Sequence, residues 1–335
     1  MSGDVLQTVA LDFQWPTLDP FLFCVHHLDD YPEANDLLGP DAPLTGRQMG
    51  SDFDGVDGWR MYHGTTVPGF PQHPHRGFET VTYVRQGLID HADSMGAAAR
   101  YGRGDVQWLT AGAGIQHAEM FPLLDRDERN PVELFQIWLN LPAADKMSDP
   151  YFAMLWDVEI PRVEADGVTV TVIAGSLGGT TPPSPPPDSY GSKADAEVAI
   201  WHIVLEDDAE WTLPRSAGED VGRVLYLFEG DGLTIGDSSI GARTGAVLDA
   251  SGDLVLRASD GPVEALVLQG RPIGEPVAQY GPFVMNTKAE IQQAMDDYQS
   301  TQFGGWPWDV PDPTHGRDDR RFARRPDGSV EEAIA

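Results

Sequence analysis

Two distant stretches of this chain read alike. "TVTYVRQGLID" (80–90) and "RVLYLFEGDGLTIG" (223–236) each give a strand, a glycine turn and a second strand. "GRGDVQWLTAG" (102–112) follows the first, and "GAVLDASGDLVLRA" (245–258) overlaps the same place after the second. Between residues 73 and 140 there is no helical periodicity. A repeated strand–turn–strand order without it limits the chain to β structure. The 36 Gly and 27 Pro agree, since they favour turns and short elements. With 335 residues the chain suits two domains. The expectation is an all-β protein made of two β barrels of one kind, fused head to tail.

The clearest break is "LGGTTPPSPPPD" (177–188), whose five prolines cannot build a ladder. It predicts an N-terminal domain over 1–176, a Pro-rich connection or long surface loop over 177–190, and a C-terminal domain over 191–306. Late in the second domain "NTKAEIQQAMDDYQS" predicts a helix over 288–299. Thr287 and Glu290 have capping-box spacing, and Ile291, Ala294, Met295 and Tyr298 form one apolar stripe. The tail over 307–335 holds "HGRDDRRFARRPDG" with five Arg. It reads as an arm pairing with the protein's own acidic surface, with partner docking as the alternative.

Net charge is −31, from 53 acidic and 22 basic residues, of which 3 are Lys (Lys146, Lys193, Lys288). Such a surface repels phosphates, so direct nucleic-acid binding is not expected. It suits a salt-rich cytoplasm, while the preference for Arg over Lys equally suits a GC-rich genome. The single cysteine, Cys24, excludes an intrachain disulfide and reads as a small buried hydrophobe. No stretch resembles a signal peptide or a membrane span, so the expected location is the cytoplasm.

The chemistry concentrates in two short motifs. In "HPHRGFETVTYV" (73–84), His73 and His75 are at i and i+2, which on a strand places both on one face. Pro74 assigns them to a strand start or an edge. "GIQHAEM" (114–120) supplies His117 and Glu119 with the same spacing, after Gly112 and Gly114, which let the chain turn tightly. Two such pairs on neighbouring strands converge on three imidazoles and one carboxylate. Four ligands around a six-coordinate ion leave two positions for water, O2 or substrate. The set has no thiolate, which disfavours structural zinc; Fe(II), Mn, Ni, Cu and catalytic Zn stay open.

The other histidines read as bystanders. His26 and His27 point to opposite faces, His91 reads as exposed, His63 stands ten residues before the first ligand, and His202 reads as a core histidine. Glu79 shares the parity of His73 and His75 and is a candidate for the pocket or for supporting a ligand. Phe78 has the opposite parity and is expected to pack outward under a helix or loop. No G-x-S-x-G or P-loop lysine motif occurs, so acyl transfer and nucleotide hydrolysis lack residues to carry them.

"DPFLFCVHHLDDYP", "HPHRGFETVTY", "GDVQWLTAGAGIQHAEM", "FQIWLNLP" and "GPFVMNT" with its following helix resemble the signatures of the pirin family, a branch of the cupin superfamily. The resemblance runs from about residue 16 to 306. It implies two tandem cupin barrels. The first would hold one metal, usually iron, through His73, His75, His117 and Glu119, and the second would lack the site. Ala113 stands where the family often has a basic residue.

The family's activities imply two alternatives. One is a quercetin 2,3-dioxygenase-like enzyme acting on a flavonol or related enediol with O2, in which Glu119 is the catalytic base. The other is a non-catalytic iron-binding regulator acting through a protein partner. A monomer is expected in either case, with no separate organic cofactor.

Overall fold

The computed structural model describes residues 3–333. Strands dominate, and among the described residues there is one α-helix, Lys288–Thr301. Contacts divide the chain into two compact units, one of residues 1–25, 137–142 and 159–274, the other of 26–136, 143–158 and 275–335.

The unit that carries both histidine motifs is built on a sheet with the strand order Val330–Glu332, Phe322–Arg324, Ala98–Gly102, Leu88–Asp93, Ile115–Met120 and Gly69–His75. A second sheet runs Tyr151–Leu155, Val106–Thr110 and Phe78–Gln86, then continues into the strands Asn130–Asn140 and Phe21–Tyr31. Pairing is antiparallel wherever register is resolved, as short hairpin connections require. Burial on the strands Phe78–Gln86 and Ile115–Met120 is nearly continuous, so both faces of these strands are covered.

The other unit pairs a seven-stranded sheet with a four-stranded one. Trp201, Leu225, Leu227 and Val267 from the larger sheet meet Leu213, Leu233, Ile235 and Leu256 from the smaller in one core. Two of its strand pairings cross the expected domain boundaries. Val5–Ala10 pairs with Thr244–Leu248, so the first strand of the chain completes the sheet of the second half. Val168–Ala174 pairs with Ala199–Leu205, so the Pro-rich run connects adjacent strands of one sheet. By its contacts it is a loop inside one unit.

The expected boundaries at 1–176 and 191–306 therefore differ from the contact groups, because each end of the chain folds with the opposite half. The helix starts where its sequence predicts. Thr287 Oγ1 accepts from the Glu290 N–H at 3.2 Å, and Glu290 Oε2 accepts from the Asn286 N–H at 3.1 Å. Ile291 and Ala294 are buried against Phe283 and Met285. The helix belongs to the histidine-bearing unit, fixed there by Arg76–Asp297 at 2.7 Å and by Tyr298 Oη donating to Gln116 Oε1 at 3.1 Å.

The Arg-rich tail folds back on the same unit. Phe322–Arg324 adds to the edge strand Ala98–Gly102, and Arg321 pairs with buried Asp105 at 2.7 Å. Arg320 and Arg325 pair within the tail, with Asp318 and Glu331, rather than with the acidic surface of the rest of the protein. No helix of the described residues is long and apolar enough to cross a membrane.

Candidate metal centre

His73 lies directly across from His117 in the antiparallel pairing, and His75 follows two residues on. Cross-strand partners share a face, so all three imidazoles converge. Their ring centroids are 4.4 Å (His73–His117), 4.7 Å (His73–His75) and 4.8 Å (His75–His117) apart. One nitrogen from each lies within 4.8 Å of the others, a spacing that could hold a metal ion. The register slips between Phe70 and His73, a bulge that falls on Pro71 and sets the His73–His75 segment against His117. On the partner strand the approach is made by Gly112, at φ +47°, with its Cβ position 2.1 Å from the Ser148 carbonyl oxygen. Only glycine fits there.

The ring nitrogens suit an ion. His73 Nδ1–H donates to the Pro71 carbonyl at 2.8 Å, which leaves the Nε2 lone pair for the cluster. His117 is fully buried, and among the described residues neither of its ring nitrogens has a hydrogen-bond partner. An imidazole orphaned in this way is anomalous in a protein interior unless something else binds it. Burial, aided by repulsion among the rings, holds His73 down to about 4 and pulls His75 and His117 well below the usual histidine range. All three are therefore neutral, the form in which imidazole binds metals.

Glu119 lies beside the triad, with Oε2 3.8 Å from His117 Nε2. It is 3% exposed. Gln136 Nε2 donates to its Oε2 at 3.0 Å, and Thr82 Oγ1 lies 3.2 Å from its Oε1. Burial raises its pKa, against the opposing pull of His91 and of these two hydrogen bonds. The residues whose donor atoms lie within 4.8 Å of one another are the three histidines, a nitrogen set without a thiolate that suits a divalent ion, and Glu119 stands just outside that group.

Sequence reasoning missed His91 and Asp93. His91 reads as exposed, yet it is fully buried, stacked on Phe152 and 5.6 Å from His117. Its Nε2 meets Asp93 Oδ2 at 3.1 Å. In register His91 faces Glu119 and Asp93 faces His117, so the pair backs the site on a third strand. The signal was present: H-x-D at 91–93 repeats the i, i+2 spacing of the two recognised pairs. Thr82 and Gln136 carried no such signal.

Other expectations are corrected. Phe78 is buried, as a residue covered by a helix or loop would be, but its ring lies 5.0 Å from His75, on the side of the triad. Glu79 lies on the opposite face of its strand from Thr82 and takes hydrogen bonds from Trp108 Nε1 and Thr110 Oγ1 at 3.0 and 2.8 Å, away from the triad. His26 meets Glu133 at 2.9 Å, His27 meets Tyr62 Oη at 2.8 Å, and His63 meets the Gly50 carbonyl at 2.7 Å. None of them joins the cluster. His202 meets Glu264 at 2.7 Å, as a satisfied core histidine should. Cys24 is buried, as expected.

Residues 14–139 match the family described as Pirin, and residues 200–304 match the Pirin C-terminal cupin domain. The chain is 40% identical to Pirin-1 of Arabidopsis thaliana over 247 residues, 70% of this chain and 78% of that one. It is 38% identical to a pirin-like protein of Caulobacter vibrioides over 70% of this chain and 80% of that one. Among solved structures, a quercetin 2,3-dioxygenase from Acinetobacter baumannii superposes with a TM-score of 0.71 at 26% identity, covering 90% of this chain and 98% of that one. With both halves matched and the two-barrel cupin fold in place, the chain belongs to the pirin family.

Proposed function

We propose that this protein is a metal-dependent dioxygenase acting on a flavonol such as quercetin, or on a related enediol. His73, His75, His117 and Glu119 would hold one divalent metal, with iron the first choice and Mn, Ni, Cu and Zn as alternatives. The observation that carries this reading is the buried His117, whose two ring nitrogens have no hydrogen-bond partner among the described residues while two other imidazoles converge on it. Similarity to the Acinetobacter quercetin 2,3-dioxygenase supports the reaction class. When bound, the metal supplies the redox chemistry that lets a closed-shell organic substrate react with O2.

The chain's own residues do the rest. Glu119 Oε takes the proton of a substrate hydroxyl as general base. Gln136 and Thr82 hold that carboxylate in place. Phe70, partly exposed and 6.4 Å from His73, is the aromatic face offered to a planar ring, and buried Tyr62 and Phe121 pack behind it at 5.0 and 6.1 Å.

Elemental analysis of the purified protein, paired with an O2-electrode assay on quercetin, tests the proposal. The expected result is one metal per chain and O2 uptake that His117→Ala removes. Metal-loaded protein that consumes no O2 with quercetin would overturn the substrate class and favour a non-catalytic role.

A further inference from the structure

The barrel without the histidine triad carries in its interior a charge that no carboxylate among the described residues pairs with directly. Arg223 lies on the strand Gly222–Glu229 and is fully buried. It shares a strand face with Leu225 and Leu227, which belong to the barrel core. Its Nε and Nη2 donate to Gln269 Oε1 at 2.8 and 2.5 Å. Its Nη1 has no hydrogen-bond partner among the described residues. Glu197 and Asp253 attract it only at longer range, and burial dominates, pulling the group down to about 10. A buried guanidinium without a paired carboxylate is costly. It is also unexpected in a chain with 53 acidic residues.

Gln269 borders a cavity of about 540 Å³. Leu177, Val198 and Trp201 give it an apolar wall, and Lys193 and Arg215 stand in its lining. The acidic residue of that lining, Glu197, is engaged, since its Oε2 accepts from the Ala217 N–H at 3.0 Å. Leu177 opens the Pro-rich loop and Lys193 follows it, so this loop builds one side of the cavity. Two cations, Lys193 and Arg215, thus stand in the lining beside one carboxylate, and Arg223 lies behind it, bonded to the lining residue Gln269.

We propose that this cavity, at one end of the second barrel, binds a small carboxylate with an apolar body. The carboxylate meets the field of Arg223, Lys193 and Arg215, and the body lies against Trp201 and Leu177. Arg223 is not itself in the lining, so the ligand reaches it by taking the place of Gln269 Oε1. An inorganic anion would leave the apolar wall bare. The inference is independent of the metal centre.

Isothermal titration of the full chain with benzoate and with benzamide, its uncharged analogue of the same shape, tests this. Benzoate is expected to bind at least about tenfold more tightly than benzamide. Arg223→Met should abolish that preference. Because Arg223 lies in the core, a rim variant, Lys193→Ser with Arg215→Ser, provides a second arm. It should fold normally, weaken benzoate about three- to tenfold and reduce the salt dependence of binding. Equal binding of benzamide, no binding of benzoate at millimolar concentration, or a rim variant that binds benzoate unchanged overturns the proposal. Inorganic phosphate binding as tightly as benzoate overturns the apolar body.

Discussion

Gln136 Nε2 donates at 3.0 Å to Glu119 Oε2, the same oxygen that lies 3.8 Å from His117 Nε2. If Glu119 is the base, that bond aims it. Gln136→Leu should then lower turnover of quercetin by about 10- to 100-fold while metal content stays near one per chain. Loss of metal in step with activity would show instead that Gln136 supports a ligand.

Glu119→Gln separates the two roles assigned to this carboxylate. The amide keeps one oxygen for the metal and cannot take a proton. Turnover should fall by about 10²- to 10⁴-fold, well beyond any fall in metal content. Parallel loss of turnover and metal would sink the base role.

Gly112→Ala tests the turn that delivers His117. The new methyl would sit 2.1 Å from the Ser148 carbonyl oxygen, at a φ of +47°. Backbone must move, so the variant should lose about 1–3 kcal/mol in urea unfolding and bind metal less tightly. An unchanged midpoint would mean that the turn relaxes freely.

Arg100 and Asp90 form a buried pair at 2.6 Å, and the same guanidinium donates to the tail carbonyls of Gly316 and Asp318. Arg100→Met leaves Asp90 buried without its cation and should cost about 3–5 kcal/mol. The double variant Arg100→Met with Asp90→Leu should recover much of that loss. The tail should nevertheless become more sensitive to proteolysis in both, which limited trypsin digestion would read.

Lys146 is buried, donating to the Gly77 and Val284 carbonyls at 2.8 and 3.1 Å. Burial holds it down to about 8, against 10.5 when exposed. Between these values the unfolded chain binds the proton and the folded protein does not, so stability rises with pH across that window. Relative to Lys146→Met, the wild type should gain up to about 3 kcal/mol on crossing it. A stability difference that stays flat in pH would show that Lys146 remains charged in the fold.

How much of this was legible in the sequence follows from the range of each interaction. Side-chain alternation is a local property of a strand, so i, i+2 spacing placed His73 with His75 and His117 with Glu119 before any fold was known. The capping box of Thr287 and Glu290 is equally local. The recurrence of strand, turn and strand limited the architecture to two barrels. Tertiary pairing decided the rest. Register alone set His91 across from Glu119, because a strand does not encode which neighbour it meets. It also sent Val5–Ala10 to the second half's sheet and Phe322–Arg324 to the first half's edge. Packing left Arg223 buried without a carboxylate, a fact invisible in a count of charges. Local periodicity thus named the ligand candidates, and long-range strand pairing decided what surrounds them.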